Sequence, residues 1–125
     1  MSQKSTKGQF RFLEWQVYKD ARKLFVFVLG LVKKLPKEYR YELGSQDIRA
    51  TLSVLLNIAE GSGKGYDTEM NRFFGIATGS LSEVLAATDA MRHAGLVTEE
   101  EFGTVYSMVD GITSQLVGFR KTLRS

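Results

Sequence analysis

Apolar residues recur at alternating steps of four and three in four successive stretches of this chain, the spacing of one helix face, and few folds can satisfy that pattern. The first stretch, 14–35, aligns Val17, Ala21, Leu24, Val28, Leu31 and Leu35. The second, 43–64, aligns Ile48, Leu52, Leu55 and Ala59. The third runs through Phe73, Ala77, Ser80, Val84, Ala87, Met91 and Ala94, and the fourth through Phe102, Val105, Val109, Ile112, Leu116, Phe119 and Leu123. Four seams predict four helices, and short connections favour antiparallel neighbours. The expected fold is an all-α, up-down-up-down four-helix bundle over residues 10–125, preceded by a polar, aperiodic tail at 1–9.

The punctuation agrees with this division. Pro36 cannot continue a helix and ends the first, with 37–41 as a short turn. Three glycines at 61–65 end the second, and they are expected to supply left-handed caps. Asp67 or Thr68 caps the third, whose many small seam residues allow close helix approach; Gly95 closes it. Thr98 and Glu101 form a capping box, with Glu99 and Glu100 favoured at the positive end of the fourth helix's dipole.

One long chain segment can be set aside as a membrane span. The most apolar run, 24–32, is nine residues, whereas crossing a bilayer takes roughly 20. There are no cysteines and no secretory signal, which together suggest a cytoplasmic protein.

The second stretch carries polar residues close to its apolar stripe: Arg49, Asn57 and Glu60 are expected to form a structural polar core. Glu60 would be a buried ion pair, with Arg72 a nearer partner than Arg49, which lies about three turns away. This stretch, LGSQDIRATLSVLLNIAEGSGK, together with NRFFGIATGSLSE, resembles the two central motifs of the 23S rRNA intervening-sequence protein family. The family pattern is matched at Gln46, Ile48, Arg49, Ala50, Asn57, Ile58, Ala59, Glu60, Gly61 and Gly63. The second motif is matched at Phe74, Ile76, Ala77, Gly79, Ser80 and Glu83. Trp15, Ala21 and Leu35-Pro36 extend the likeness over about residues 10–97. Asp47 is an extra residue between Gln46 and Ile48, and Lys64 stands where the family usually has Arg. The resemblance implies a small four-helix bundle. Through the related accessory variability proteins of diversity-generating retroelements, it also implies a ring, commonly a pentamer, that binds nucleic acid and a reverse transcriptase.

Charge is unevenly placed. Residues 1–40 carry a balance of +7 in a chain whose total is +3, which leaves −4 for the remainder. In the expected topology Lys4, Lys7, Arg11, Lys64, Arg72, Arg120, Lys121 and Arg124 gather at one end, a candidate surface for RNA or DNA phosphates. Tyr18, Phe25, Phe27, Leu29 and Val32 flank the first seam and give that helix more apolar surface than one seam can cover, hence an expected homo-oligomer interface.

Catalysis is not expected. Glu60, Asn57 and Arg49 would need His93, which lies toward the far end of the third helix. One histidine, no cysteine and no Glu-x-x-His pair leave no metal site. The 61–65 glycines lack the G-x-x-x-x-G-K-[ST] spacing and a preceding strand, so no nucleotide loop, cofactor or small-molecule substrate is expected. Two other classes fit the same seams: a structural protein-interaction module without nucleic-acid binding, and a retroelement accessory protein that binds reverse transcriptase.

Overall fold

The computed structural model describes residues 9–123, which form four long helices and, among those residues, no strand. After a 3-10 turn at Arg11–Glu14 come α1 (Gln16–Lys33), α2 (Ser45–Ser62), α3 (Asp67–His93) and α4 (Glu99–Arg120). The expected tail at 1–9 lies, except for Gln9, outside the described residues.

The seams of α1 and α4 are those the spacing predicts. Val17, Ala21, Leu24, Val28 and Leu31 are buried on α1, and Val105, Val109, Ile112 and Leu116 on α4. Side-chain contacts set the helix directions. Asp20 meets Gln115 and Lys34 meets Glu101 across α1 and α4. Ser53 meets Ser80 and Asp47 meets Thr88 across α2 and α3. Asn71 meets Arg120 and Arg92 meets Glu99 across α3 and α4. Each pair runs in opposite senses, consistent with the expected up-down order.

Between α1 and α2 the chain is more structured than a simple turn. Pro36 precedes a single helical turn, Lys37–Tyr39, and then a π turn, Arg40–Gly44. Arg40 Nη2 donates to the Leu35 carbonyl at 3.1 Å, giving that carbonyl a partner where the chain turns after α1. Gly44 lies against Val32: a Cβ there would sit 2.5 Å from Val32 Cγ1, so only glycine fits. At the start of α4, Thr98 Oγ1 accepts from the Glu101 N–H and Glu101 Oε1 from the Thr98 N–H, both at 3.0 Å, the predicted capping box.

Elsewhere the structure corrects the expected register. On α2 the buried residues are Asp47, Ala50, Thr51, Val54, Leu55, Ile58 and Gly61, so Leu55 is inward as expected whereas Leu52 is exposed and Ile48 and Ala59 are half-buried. On α3 Phe74 and Thr88 are buried, rather than Phe73 and Ala87, and Ala94 is exposed. Tyr66 occupies the N-cap position of α3, with Asp67 its first helical residue. Gly61 ends nothing. It is a buried position within α2, and among the described glycines only Gly95 has positive φ.

The polar core is likewise not the expected one. Arg49 is exposed, and so is Glu60, which pairs with Lys64 at 3.0 Å rather than with Arg72. Asn57 is half-buried and donates to the Ser53 carbonyl at 2.8 Å. The buried polar residues are Asp47, Thr51, Ser80 and Thr88.

Candidate nucleic-acid interface

One end of the bundle is built on four aromatic rings drawn from three helices and their flanks. Trp15, preceding α1, packs on Phe119 of α4 with ring centres 5.8 Å apart, and Phe119 packs on Phe74 of α3 at 5.1 Å. Phe73 lies outside them, half-buried. Cations are laid over this aromatic cluster. The Arg72 guanidinium is 4.4 Å and Lys64 Nζ 5.1 Å from the centre of the Phe73 ring. Arg11 stands 5.9 Å from the Trp15 ring. The faces of aromatic rings carry negative potential, so they hold such cations without consuming their charge.

Arg120 is the most constrained of the group. Its Nε donates to Asn71 Oδ1 at 2.7 Å, and its guanidinium rests on Gly75, where a Cβ would lie 3.1 Å from Nη2. The close approach at Gly75 is therefore to an arginine side chain. Lys121 follows on the exposed surface. Thus Arg11, Lys64, Arg72, Arg120 and Lys121 come together as expected, whereas Lys4, Lys7 and Arg124 fall outside the described residues.

Local acids moderate two of the five. Lys64 is paired with Glu60, and Arg72 Nη2 with Glu69 at 3.0 Å. The Arg72 hydrogen bond holds the Glu69 carboxyl below its ordinary range, and the same bond raises Arg72. Both pairs are exposed and lie within one helical turn, so a phosphate can compete for their cations at small cost.

At the opposite end several charges are paired internally. Lys34 binds Glu101, whose carboxyl is lowered by that bond and by the Thr98 N–H. Arg92 lies over the Phe102 ring at 3.9 Å while bonding both Asp89 and Glu99. His93 sits 3.7 Å from Asp89, far from Glu60 as expected.

Sequence reasoning missed a second basic surface. Lys19, Arg22, Lys23 and Lys33 lie on the side of α1 away from its buried seam, so a cationic ridge follows the helix rather than its tip. The +7 balance of the first forty residues contained this signal. Projecting that charge onto the helical period would have found it.

The expected oligomer surface is divided. Helical spacing puts Tyr18, Phe25 and Leu29 on the α2 side of α1 and Phe27 on the α4 side, all half-buried by the chain itself. Val32 is 4% exposed beneath Gly44 and belongs to the core. More exposed apolar area lies on the outer face of α2 and α3, where Leu52, Leu56 and Ile76 are 40%, 59% and 42% exposed.

A sequence model of the 23S rRNA-intervening sequence protein family matches residues 13–118, which spans all four helices up to the end of α4. The chain belongs to that family. This intervening-sequence protein also shares its fold with a crystal structure described as a protein of unknown function from the S23 ribosomal protein family of Bacteroides thetaiotaomicron VPI-5482. The TM-score is 0.78 at 18% identity, covering 84% of this chain and 98% of the other. No curated protein matches the sequence.

The two motifs by which the intervening-sequence protein was recognisable occupy one seam of the bundle. Ala50, Ile58, Gly61, Phe74 and Ala77 are buried between helices. Asn57 and Ser80 line the junction of α2 and α3, linked through Ser53, whose Oγ is 2.8 Å from that of Ser80. Glu60, Ile76, Gly79 and Glu83 face outward beside Leu56. Among the described residues no cluster of His, Cys, Asp or Glu could hold a metal ion, and no helix is long and apolar enough to cross a membrane.

Proposed function

We propose that this protein is a non-catalytic, oligomeric accessory factor that binds RNA or DNA through the end of the bundle carrying Arg11, Lys64, Arg72, Arg120 and Lys121. The convergence of these five side chains on an aromatic platform supports the reading. Cations held over rings and beside glycine are placed in advance, so a phosphate backbone meets them with little ordering cost. No recognised base-reading module accompanies them, so the contact is to backbone and insensitive to sequence.

Assembly strengthens such binding, because every copy adds its cations to a common field. The outer α2–α3 face, with Leu52, Leu56 and Ile76, is the interface this reading favours. The resemblance to ring-forming relatives points to a pentamer. Leu56→Asp with Ile76→Asp places two charges on that face without touching the core. Native mass spectrometry should then show a monomer that keeps its helical circular dichroism; an unchanged mass would remove the interface from this face.

The test of function is retention of a single-stranded oligonucleotide and of a duplex across a salt series. Log affinity should fall linearly with log salt, each phosphate contact contributing about 0.7–0.9 to the slope. Lys64→Glu with Arg72→Glu should lower affinity at least tenfold and flatten the slope while leaving the melting temperature nearly unchanged. Retention indifferent to salt, or unaffected by this double reversal, would refute the proposed contact.

A further inference from the structure

The seam between α1 and α4 is open along much of its length. Three adjoining clefts lie on it. The first, about 380 Å³, runs beside Trp15, Gln16, Gln115 and Phe119. The second, about 140 Å³, lies between Asp20, Lys23, Met108 and Gly111. The third, about 710 Å³, is bounded by Lys19, Arg22, Lys23, Val26, Phe27 and Met108. The third shares Gln16 with the first and Lys23 and Met108 with the second, so it joins them into one groove, which from Trp15 to Phe27 measures about 18 Å along the helix axis.

The two walls differ in a way that specifies what fits. The α4 wall is low and uncharged, with Ser107 and Gly111 exposed, and a side chain at Gly111 would meet nothing within 4 Å. The floor is apolar, from Phe119 through Met108 to Phe27, and Val26 at its margin is 62% exposed. The α1 wall is the cationic ridge. The one acid inside the groove, Asp20, is occupied: Gln16 Nε2 donates to Oδ1 at 2.7 Å and Gln115 Nε2 to Oδ2 at 2.8 Å.

We propose that this groove receives an amphipathic helix of a partner protein, about three turns long, with aliphatic residues on one face and carboxylates along one edge. A helix can lie close to the small α4 wall, set its aliphatic side on Phe27 and Met108, and pair its acids with Arg22 and Lys23, and with Lys19 in competition with the exposed Glu14, which stands 3.4 Å from it. The chain's own ends do not suit it: residues 1–8 contain Lys4 and Lys7 and no acid, and Glu99 and Glu101 are engaged at the far end of α4. An apolar floor also favours a helix over a phosphate backbone, which would leave Phe27 and Met108 uncovered.

The probe is a fluorescein-labelled synthetic peptide of about twelve residues with Leu on one helical face and Glu on the other, titrated by anisotropy against the full-length chain. A scrambled peptide of equal composition serves as control. Only the amphipathic order should bind. Arg22→Glu with Lys23→Glu should weaken it at least tenfold, and so should Gly111→Leu, which fills the wall without changing charge and has room to fold. Lys64→Glu with Arg72→Glu should leave peptide affinity unchanged, which separates this groove from the nucleic-acid surface. Any of three results would overturn the proposal: equal binding of the scrambled peptide, indifference to Gly111→Leu, or displacement of the peptide by an oligonucleotide whose own binding Arg22→Glu/Lys23→Glu abolishes. Dissociation of an oligomer by Gly111→Leu would assign the groove to a second copy instead and would equally overturn it.

Discussion

Asp47→Asn should stabilise the protein at pH 8 by up to about 3 kcal/mol, raising its melting temperature by roughly 10 °C, and should change little at pH 4. Asp47 is fully buried, and among the described residues its Oδ1 has no hydrogen-bond partner. The Thr88 hydroxyl stands 2.8 Å from Asp47 Oδ2 and 2.8 Å from the Val84 carbonyl oxygen. One hydroxyl proton cannot serve two acceptors. If Asp47 is ionised, either the carboxylate or the carbonyl is left short. If Asp47 is protonated, its O–H donates to Thr88 Oγ1 and Thr88 donates onward to Val84, so both contacts are made.

Burial therefore pushes the Asp47 carboxyl up from 3.8 to about 6, with the Thr88 bond opposing in part. Because the folded value lies above the unfolded one, this group's contribution is complete below about pH 4 and is lost as pH rises through about 6. Asparagine stays neutral at every pH, one Nδ2–H donating where the acid proton would; its second N–H has no partner there, which makes about 3 kcal/mol an upper bound. The depressed carboxyls of Glu69 and Glu101 act in the opposite sense, losing stability as pH falls, but both residues are present in wild type and variant and cancel in the difference. The cations at this end, Lys34, Arg40 and Arg92, are engaged with Glu101, the Leu35 carbonyl, and Asp89 with Glu99. Urea unfolding followed by circular dichroism from pH 4 to 8 measures the difference directly. A variant no more stable than wild type at pH 8 would show that Asp47 is ionised without penalty.

The same residues explain where the sequence was legible. The α1 and α4 seams contain only apolar residues, and the Thr98–Glu101 box is a local signal, so both helices were readable from spacing. On α2 and α3 the innermost positions include Asp47, Thr51, Ser80 and Thr88, which satisfy one another or nearby carbonyls. A reading that follows apolarity finds Leu55 on α2 and Ala77, Ser80, Val84 and Met91 on α3, but takes Ile48 and Leu52 instead of Asp47 and Thr51, and Phe73 and Ala87 instead of Phe74 and Thr88, one position aside in each case. Glu60 was mistaken for buried for the same reason: with the stripe displaced, its exposed position falls beside the supposed core. The gathering of Arg11, Lys64, Arg72, Arg120 and Lys121 at one end could be read because the end of a bundle depends on helix order rather than register. The α1 ridge was missed because charge was assigned to helix tips. The family motifs were legible throughout, since they rest on residue identity and not on which face is inward.

Two glycines in those motifs look alike in sequence and should behave in opposite ways. A Cβ at Gly61 would lie 2.8 Å from Phe74 Cε1 and 3.1 Å from Phe73 Cβ. Phe74 is fully buried and packed on Phe119, so its ring has nowhere to move. Gly61→Ala gains about 1 kcal/mol of helix propensity but forces an overpacked core costing about 1–3 kcal/mol, so the balance runs from neutral to a loss of about 2 kcal/mol. Gly61→Leu adds three further carbons to the same space and should cost more than 3 kcal/mol, lowering the melting temperature by 10 °C or more. At Gly79 an added Cβ meets nothing within 4 Å, so Gly79→Ala should raise the stability of the isolated bundle by about 1 kcal/mol. Gly79 lies on the outer α2–α3 face beside Ile76, where a bare backbone lets a second copy approach closely. If that face is the interface, Gly79→Ala will weaken assembly at constant helical content even as it stabilises the monomer. Thermal unfolding and mass in solution, measured on both variants, separate the two roles: a stable Gly61→Leu protein would refute the packing argument, and undiminished assembly in Gly79→Ala would move the interface elsewhere.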